Sequence, residues 1–168
     1  MSLVRTMKAG DLLHILDIQA HCYEEQFHEA LPVLEAKLDL SPKSCWVVEG
    51  DAGLKGYLFA HPWLSTAPPA WNAVLSQLPD TADCFYLHDL AVAPNARGQG
   101  VAEALIAAAR QETRGLGFTL AALTAVQGSV PFWSKHGFRA CDHKQDSTGQ
   151  HLKTYGDNAC FMTAHWPI

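Results

Sequence analysis

The stretch that most restricts what this chain can fold into runs from Phe85 to Arg114, FYLHDLAVAPNARGQGVAEALIAAARQETR. It reads as a strand, a glycine-rich turn and a helix in direct succession. Phe85 to Val92 is rich in aromatic, Leu and Val residues and stops just short of Pro94, the pattern of a buried strand. Val101 to Arg114 is dominated by Ala, Leu, Ile, Glu and Arg, with apolar Val101, Leu105 and Ala108 at helical spacing, which predicts an amphipathic helix. Between them sits Arg97-Gly98-Gln99-Gly100-Val101-Ala102. A turn that opens directly into a helix leaves several backbone N–H groups without intrahelical partners, beside the positive end of the helix dipole. Such a place binds phosphate. A strand-to-helix turn can also need glycine for geometry alone, so the surrounding residues decide.

Two common phosphate loops fail on their residues. The nucleotide P-loop needs a lysine after its second glycine and the dinucleotide fingerprint needs a third glycine, but Glu103 stands where that glycine would be and the lysine is missing. What fits is Gln or Arg, two residues, Gly, one residue, then Gly or Ala, filled here by Arg97, Gly100 and Ala102. In this the loop resembles the pyrophosphate loop of the GNAT superfamily, the Gcn5-related N-acetyltransferases. LHDLAVAP before the loop resembles that family's fourth strand. PFWSKHGF, Pro131 to Phe138, resembles the helix and Gly-Phe turn that close its cofactor site. The three motifs occur in the family's order, and the resemblance covers roughly Val4 to Thr163.

The resemblance implies an α+β fold, layered α/β/α, with a mixed and mostly antiparallel sheet of six to seven strands flanked by about four helices. It implies acetyl-CoA as co-substrate and no metal, with the acetyl group passing directly to a primary amine in a ternary complex. Leu90 and Val92, with Ala91 between them, are expected to serve the pantetheine arm. Arg97, Gly98, Gln99, Gly100, Val101 and Ala102 are expected to hold the pyrophosphate, and Gln127 and Phe132 to lie against the cofactor. A bulge that splays the fourth strand from the fifth is common in the family, and would turn N–H groups toward the thioester carbonyl.

Acetyl transfer from a thioester to an amine needs a proton removed from the amine, an oxyanion stabilised and a thiolate released. An alkylamine of pKa about 10.4 is nucleophilic in only about one molecule in 2,500 at pH 7. A base is therefore needed. His88, of ordinary pKa about 6.5, is the first candidate and Asp89 the competitor. Period-two alternation predicts Tyr86, His88 and Leu90 on one face of the strand, and Leu87, Asp89 and Ala91 on the other. The segment LHDLAV resembles that of the arylalkylamine N-acetyltransferases, in which a histidine matching His88 serves in proton removal and a second histidine matches Tyr86. A phenol at Tyr86 could still order a water; a packed core histidine is the alternative role for His88.

Trp133 stands where the family usually has a tyrosine that protonates the leaving sulfur. An indole N–H donates a hydrogen bond but does not release its proton at neutral pH. Trp133 can hold the sulfur and cannot be the acid, which leaves Tyr155, in the polar loop before the last strand, as a candidate. A thiol of pKa about 8.5 leaves as thiolate at pH 7 for about 2 kcal/mol, so the missing tyrosine need not abolish turnover. It does motivate a competing reading, a non-catalytic acyl-CoA-binding module.

Composition narrows the partners. A net charge of −5 and a pI near 5.9 argue against a nucleic-acid surface and suit a small cationic amine; a homodimer stays open. The 168 residues suit one domain, 1–168, with its own core. Without a run of 18 apolar residues or a secretion-signal layout, a cytoplasmic protein with no membrane contact is expected. Five cysteines, odd in number and without a CxxC pair, favour reduced thiols over disulfides or zinc. His14, His21 and His28 are seven residues apart, about 10 Å along a helix, too far for neighbours to share a metal ion.

The remaining elements follow from local signals. Leu3 to Lys8 suits a first strand, and Asp11 is expected to cap a helix running to about His21. Pro32 opens a second helix through Leu40, stopped by Ser41-Pro42. Cys45 to Glu49 and Leu54 to His61 read as a hairpin. The long stretch from Pro62 to Asp83 offers Trp63 and Trp71 to stack an aryl group or a cation, or to pack the loop onto the core. Phe118 to Ala125 suits a fifth strand, Val130 to His136 a short helix, Phe138 onward a strand, Lys144 to Gly156 a polar loop and Asn158 to Thr163 the last strand.

Overall fold

The computed structural model describes residues 2–141 and 159–167. In chain order it comprises β1 (Leu3–Thr6), α1 (Leu12–Cys22), α2 (Leu31–Leu40), β2 (Cys45–Gly50), β3 (Gly53–Trp63) and β4 (Cys84–Val92). There follow α3 (Val101–Gly115), β5 (Leu120–Ala125), α4 (Val130–Lys135), β6 (Arg139–Ala140) and β7 (Cys160–His165). The strands form one sheet in the order β1-β2-β3-β4-β5-β7-β6. Every neighbouring pair is antiparallel except β4 and β5, which are parallel. This is the mixed α+β sheet expected. Tyr155 and the polar loop that holds it lie outside the described residues.

The faces of the sheet follow from its register. Gly56 on β3 lies against Val101 of α3, while the next residue, Tyr57, points the other way and shares Asp89 with Tyr23, just past α1. Phe59, two residues on, lies under Lys37 of α2. So α1 and α2 cover one face and α3 the other. Arg110 of α3 stacks over Trp166, and Trp166 meets Phe138, which meets Trp133 of α4, placing α4 with α3. The core sits on both sides of β2, β3 and β4, with Tyr57, Phe59, Phe85 and Leu105 fully enclosed. Burying one large apolar side chain stabilises by about 1.5–3 kcal/mol, and both faces of these strands contribute.

Three expectations need correction. Asp11 does not cap α1 with its side chain: a single 3-10 turn over Ala9–Asp11 brings it into helical backbone before α1 begins. Its carboxylate instead accepts the Lys8 N–H at 2.8 Å and two bonds from Arg5 at 2.9 Å each. The fifth strand starts at Leu120 rather than Phe118, because the Phe118 N–H returns to the Thr113 carbonyl at 3.0 Å and finishes the end of α3. The last strand is displaced toward the C-terminus, ending at His165. No helix among the described residues is long and apolar enough to cross a membrane.

Candidate active site

The site is built on an irregularity in β4. Asp89 pairs with Phe59 and Leu87 with Ala60, so two steps along β4 answer one step along β3 and His88 is the extra residue. This is a β-bulge. It overturns the expected alternation: Tyr86, His88 and Asp89 all address the α1/α2 face, whereas Leu87 and Leu90 take the α3 face, opposite Ala60 and Leu58. The parallel pairing of β4 with β5 covers only Phe85 to Leu87 and stops where the bulge begins. Past that point the strands part. The gap is a cavity of about 170 Å³ whose lining includes Tyr23, Trp71, His88, Asp89, Leu90, Thr124, Gln127, Phe132 and Trp133.

A second groove lies outside the first, lined by Leu90, Val92, Arg97, Gly98, Gly100, Val101, Ala102 and Phe132 among others. Gly98 and Gly100 both have φ +78°, a conformation that costs other L-residues roughly 1–2 kcal/mol. Gly100 thereby turns the chain straight into α3, whose first helical bond is from Ala104 N–H to the Gly100 carbonyl at 3.1 Å. The amides ahead of it in the first turn face outward, as helix N-termini require. Leu90 and Phe132 line both hollows, so groove and cavity are one path.

The side chains beneath the cavity form a buried charged network. Lys37 Nζ donates to Glu29 Oε1 at 2.5 Å, and neither side chain reaches solvent. Glu29 Oε2 accepts the Asn72 N–H at 3.2 Å and lies 3.7 Å from His88 Nε2. His88 Nδ1 is 3.2 Å from His61 Nε2, and His61 Nδ1 is 3.1 Å from the Pro62 carbonyl. A carbonyl only accepts, so His61 carries its proton on Nδ1 and takes one from His88 Nδ1–H. Neutral His88 in this tautomer turns its Nε2 lone pair toward Glu29 Oε2, a contact that becomes favourable when the ring is protonated. Its side chain has no exposure and Trp71 stacks on it at 6.4 Å, 27° from parallel. What His88 shows the cavity is its backbone.

Burial and the nearby Lys37 charge outweigh Glu29 and lower the His88 pKa to about 4. His61 is lowered well below its ordinary value by burial and by His88. Burial alone would raise the Glu29 carboxyl, but Lys37 and His88 hold it well below the usual carboxylate range. Asp89 moves the other way. Burial, then the Glu29 charge, push its pKa up to about 7, against the pull of Lys37 and of two hydroxyls. Those hydroxyls are Tyr23, 2.9 Å from Oδ1, and Tyr57, 3.0 Å from Oδ2.

The other residues singled out by sequence fall in distinct places. Tyr86 sits behind the cavity with its hydroxyl 2.7 Å from Thr124 Oγ1. Trp133 and Phe132 pack edge to face at 4.9 Å on the cavity wall. Gln99 leaves the groove: its Oε1 accepts from Lys55 Nζ at 2.8 Å. Ala91 is buried in the core. Gln127, at φ +51°, lines the inner cavity, where its Oε1 accepts the Glu24 N–H at 2.8 Å. Trp63 donates to the Ala67 carbonyl at 2.8 Å and packs the connection, whereas Trp71 reaches the cavity. Glu29, Lys37, His61, Tyr23 and Tyr57 did not stand out in the sequence. Lys37 carried one signal, a charge on the Val33, Leu34, Leu38 stripe of α2 that is buried. No group of three or more His, Cys, Asp or Glu side chains able to hold a metal ion occurs among the described residues.

Comparison with known proteins gives a consistent picture of the fold. The structure is similar to that of Ard1 from Thermoplasma volcanium, at 16% identity and TM-score 0.75 over 99% of both chains. It is similar to the ribosomal-protein-S18-alanine N-acetyltransferase of Escherichia coli, at 13% identity and TM-score 0.70 over 100% of this chain and 96% of that one. The PaiA N-acetyltransferase of Thermoplasma acidophilum, solved in complex with coenzyme A, matches at 14% identity and TM-score 0.69 over 99% of both chains. No curated protein matches the sequence. Residues 12–138 match the acetyltransferase (GNAT) family, a span that takes in the bulged strand, the glycine turn and the short helix of the cavity wall. The chain belongs to the GNAT acetyltransferase family.

Proposed function

We propose that this protein is an acetyl-CoA-dependent N-acetyltransferase that passes the acetyl group directly to a primary amine. The continuity of groove and cavity through Leu90 and Phe132 carries this reading. An anionic head held by the amides at the start of α3, an arm lying along Leu90 and Val92, and a thioester over the split between β4 and β5 all fall on that one path. At the split the backbone of the bulged His88 faces the cavity, where an amide donor would stabilise the oxyanion.

His88 is the residue assigned to take the proton of the attacking amine, by relay rather than direct contact, because its ring is fully enclosed. The imidazolium so formed would lie beside Glu29 Oε2, 3.7 Å away, and a carboxylate at that range favours the charged ring. Trp71 stacks on the His88 ring and also lines the cavity, so an acceptor in the cavity meets an indole. Aromatic faces attract cations at about 0.5–2 kcal/mol, which supports an amine acceptor here.

Thiol release from acetyl-CoA, screened over arylalkylamines, polyamines, aminoglycosides and short peptides, tests the reading. Turnover with at least one amine and about a 10²-fold loss in His88→Gln, with acetyl-CoA affinity intact, is the expected result. Turnover undiminished in His88→Gln would move the proton to water or Asp89. Acetyl-CoA binding without turnover by the wild type across the panel would favour the binding module.

A further inference from the structure

Tyr23 has one hydroxyl proton and two acceptors, Asp89 Oδ1 at 2.9 Å and the Leu90 carbonyl at 2.8 Å. The carbonyl can only accept. If Tyr23 donates to it, the contact with Asp89 is a hydrogen bond only when Asp89 carries the proton and donates to the phenol oxygen. The other Asp89 oxygen is already served by the Tyr57 hydroxyl at 3.0 Å. With Asp89 ionised, the one Tyr23 proton is shared between Asp89 Oδ1 and the Leu90 carbonyl; with Asp89 protonated, each contact has its own proton, in a chain from Asp89 Oδ1–H to Tyr23 Oη–H to the Leu90 carbonyl. Burial, which pushes the Asp89 pKa up to about 7, favours the same protonated state.

The position of this chain matters as much as its protonation. Leu90 is one of the residues shared by the outer groove and the inner cavity, so a hydroxyl 2.8 Å from its carbonyl stands where the arm of a bound thioester enters the cavity. Tyr23 itself is half-buried and lines that cavity, as Trp133 does. Trp133 offers an indole and no dissociable proton.

Resting on the acyltransfer reading above, we propose that Tyr23 is the acid that protonates the leaving thiolate, resupplied by Asp89. The C–S bond breaks with its electron pair on sulfur. The Tyr23 hydroxyl proton moves to sulfur as the Asp89 Oδ1 proton moves to the phenol oxygen, so Tyr23 stays neutral. Asp89 is left as a carboxylate accepting from Tyr23 and Tyr57, and regains its proton from water after the thiol departs. The proton taken from the amine goes separately to His88.

The experiment is the pH dependence of kcat at saturating acetyl-CoA and amine, for the wild type, Tyr23→Phe and Asp89→Asn, alongside direct titration of acetyl-CoA binding. In the wild type kcat falls as pH rises through about 7, as the store of protonated Asp89 empties. Tyr23→Phe loses about 10²-fold in kcat at pH 6, keeps acetyl-CoA affinity within threefold, and loses that alkaline fall. Asp89→Asn, whose amide still donates to Tyr23 but supplies no proton, behaves in the same way and covers the case in which Tyr23→Phe folds poorly. Active wild type with Tyr23→Phe turning over within threefold, or with the alkaline fall unchanged in both variants, overturns the assignment to Tyr23 alone. A wild type that binds acetyl-CoA and releases no thiol with any amine overturns the acyltransfer reading, and this inference with it.

Discussion

Replacing Lys37 by Met isolates the energetic core of the network under the cavity. Lys37 Nζ and Glu29 Oε1 are 2.5 Å apart with both side chains fully enclosed, and Lys37 also lies 5.9 Å from the Phe59 ring. Methionine conserves most of the volume, so the main loss is the counter-charge. Removing one partner of a buried pair costs about 3–5 kcal/mol, because the other is left charged in a poor solvent. Glu29 retains the Asn72 N–H and has His88 at 3.7 Å. Because the Lys37 charge is one of the causes that lower His88, its removal lets His88 take up a proton in partial compensation, placing the expected loss near the lower limit, about 3 kcal/mol at pH 7. Glu29, with its pKa depressed in the native state, contributes stability that is present above the unfolded value of about 4.5 and lost as pH falls. The deficit of Lys37→Met is accordingly largest above pH 5 and shrinks toward pH 4. Urea unfolding at both pH values measures it, and Glu29→Gln/Lys37→Met should recover most of the loss, since neutral groups of similar shape replace the pair. A loss under about 1 kcal/mol at pH 7, or a double variant no more stable than Lys37→Met, would refute the reasoning.

Other perturbations report on separate parts of the site. Gly56→Ala puts a methyl 2.8 Å from the Ala91 carbonyl and 2.8 Å from Val101 Cγ1; expected are a loss of about 1–3 kcal/mol in denaturant unfolding and weaker acetyl-CoA binding by titration, as the start of α3 is pushed off the sheet. Gly100→Ala meets no neighbour within 4 Å but keeps φ +78°; it should cost about 1–2 kcal/mol of stability and weaken acetyl-CoA binding with kcat little changed. Asp89, whose pKa rises from 3.8 to about 7 on folding, makes stability fall as pH rises through that window. His88, lowered from 6.5 to about 4, makes it rise between those values. His61, also lowered on folding, adds to the His88 slope, and both oppose Asp89 from about pH 4 to 6.5, so Asp89→Asn should steepen the rise of stability with pH there, read by thermal unfolding across that range. Trp133→Phe should keep kcat within about threefold, since the acid is elsewhere; a loss of tenfold or more would show that the indole N–H holds the sulfur.

The elements were legible where local chemistry sets them. Pro32 starts α2 because its missing N–H is one the first turn leaves unpaired in any case, and Gly98 and Gly100 mark the turn into α3 because the backbone there has positive φ. The groove followed directly, since amides at a helix start belong to the backbone and need only the turn. The network did not follow. Glu29 and His61 are brought to His88 from the segment before α2 and from β3, and no local pattern announces a contact between residues so far apart in the chain. The charge of Lys37 on a buried stripe was the one visible trace. Faces were misjudged for a related reason: alternation holds only while two strands stay in step, and a single unpaired residue reverses everything beyond it.

That reversal underlies the proposed chemistry. With a regular β4, His88 and Asp89 would lie on opposite faces, and whichever one faced α1 and α2, the other would sit against α3. The bulge at His88 puts both on one side, yet their surroundings drive them apart. Burial beside the Lys37 charge keeps His88 unprotonated well below neutrality, while burial near the Glu29 charge keeps Asp89 protonated up to about pH 7. Two titratable groups in adjacent positions, held in opposite states over the same pH range, are what a reaction needs when it must take one proton and give another. The same extra residue ends the pairing with β5 and opens the cavity between them. The cavity and the proposed proton machinery therefore share one cause, and a change that restored the register of β4 would remove both together.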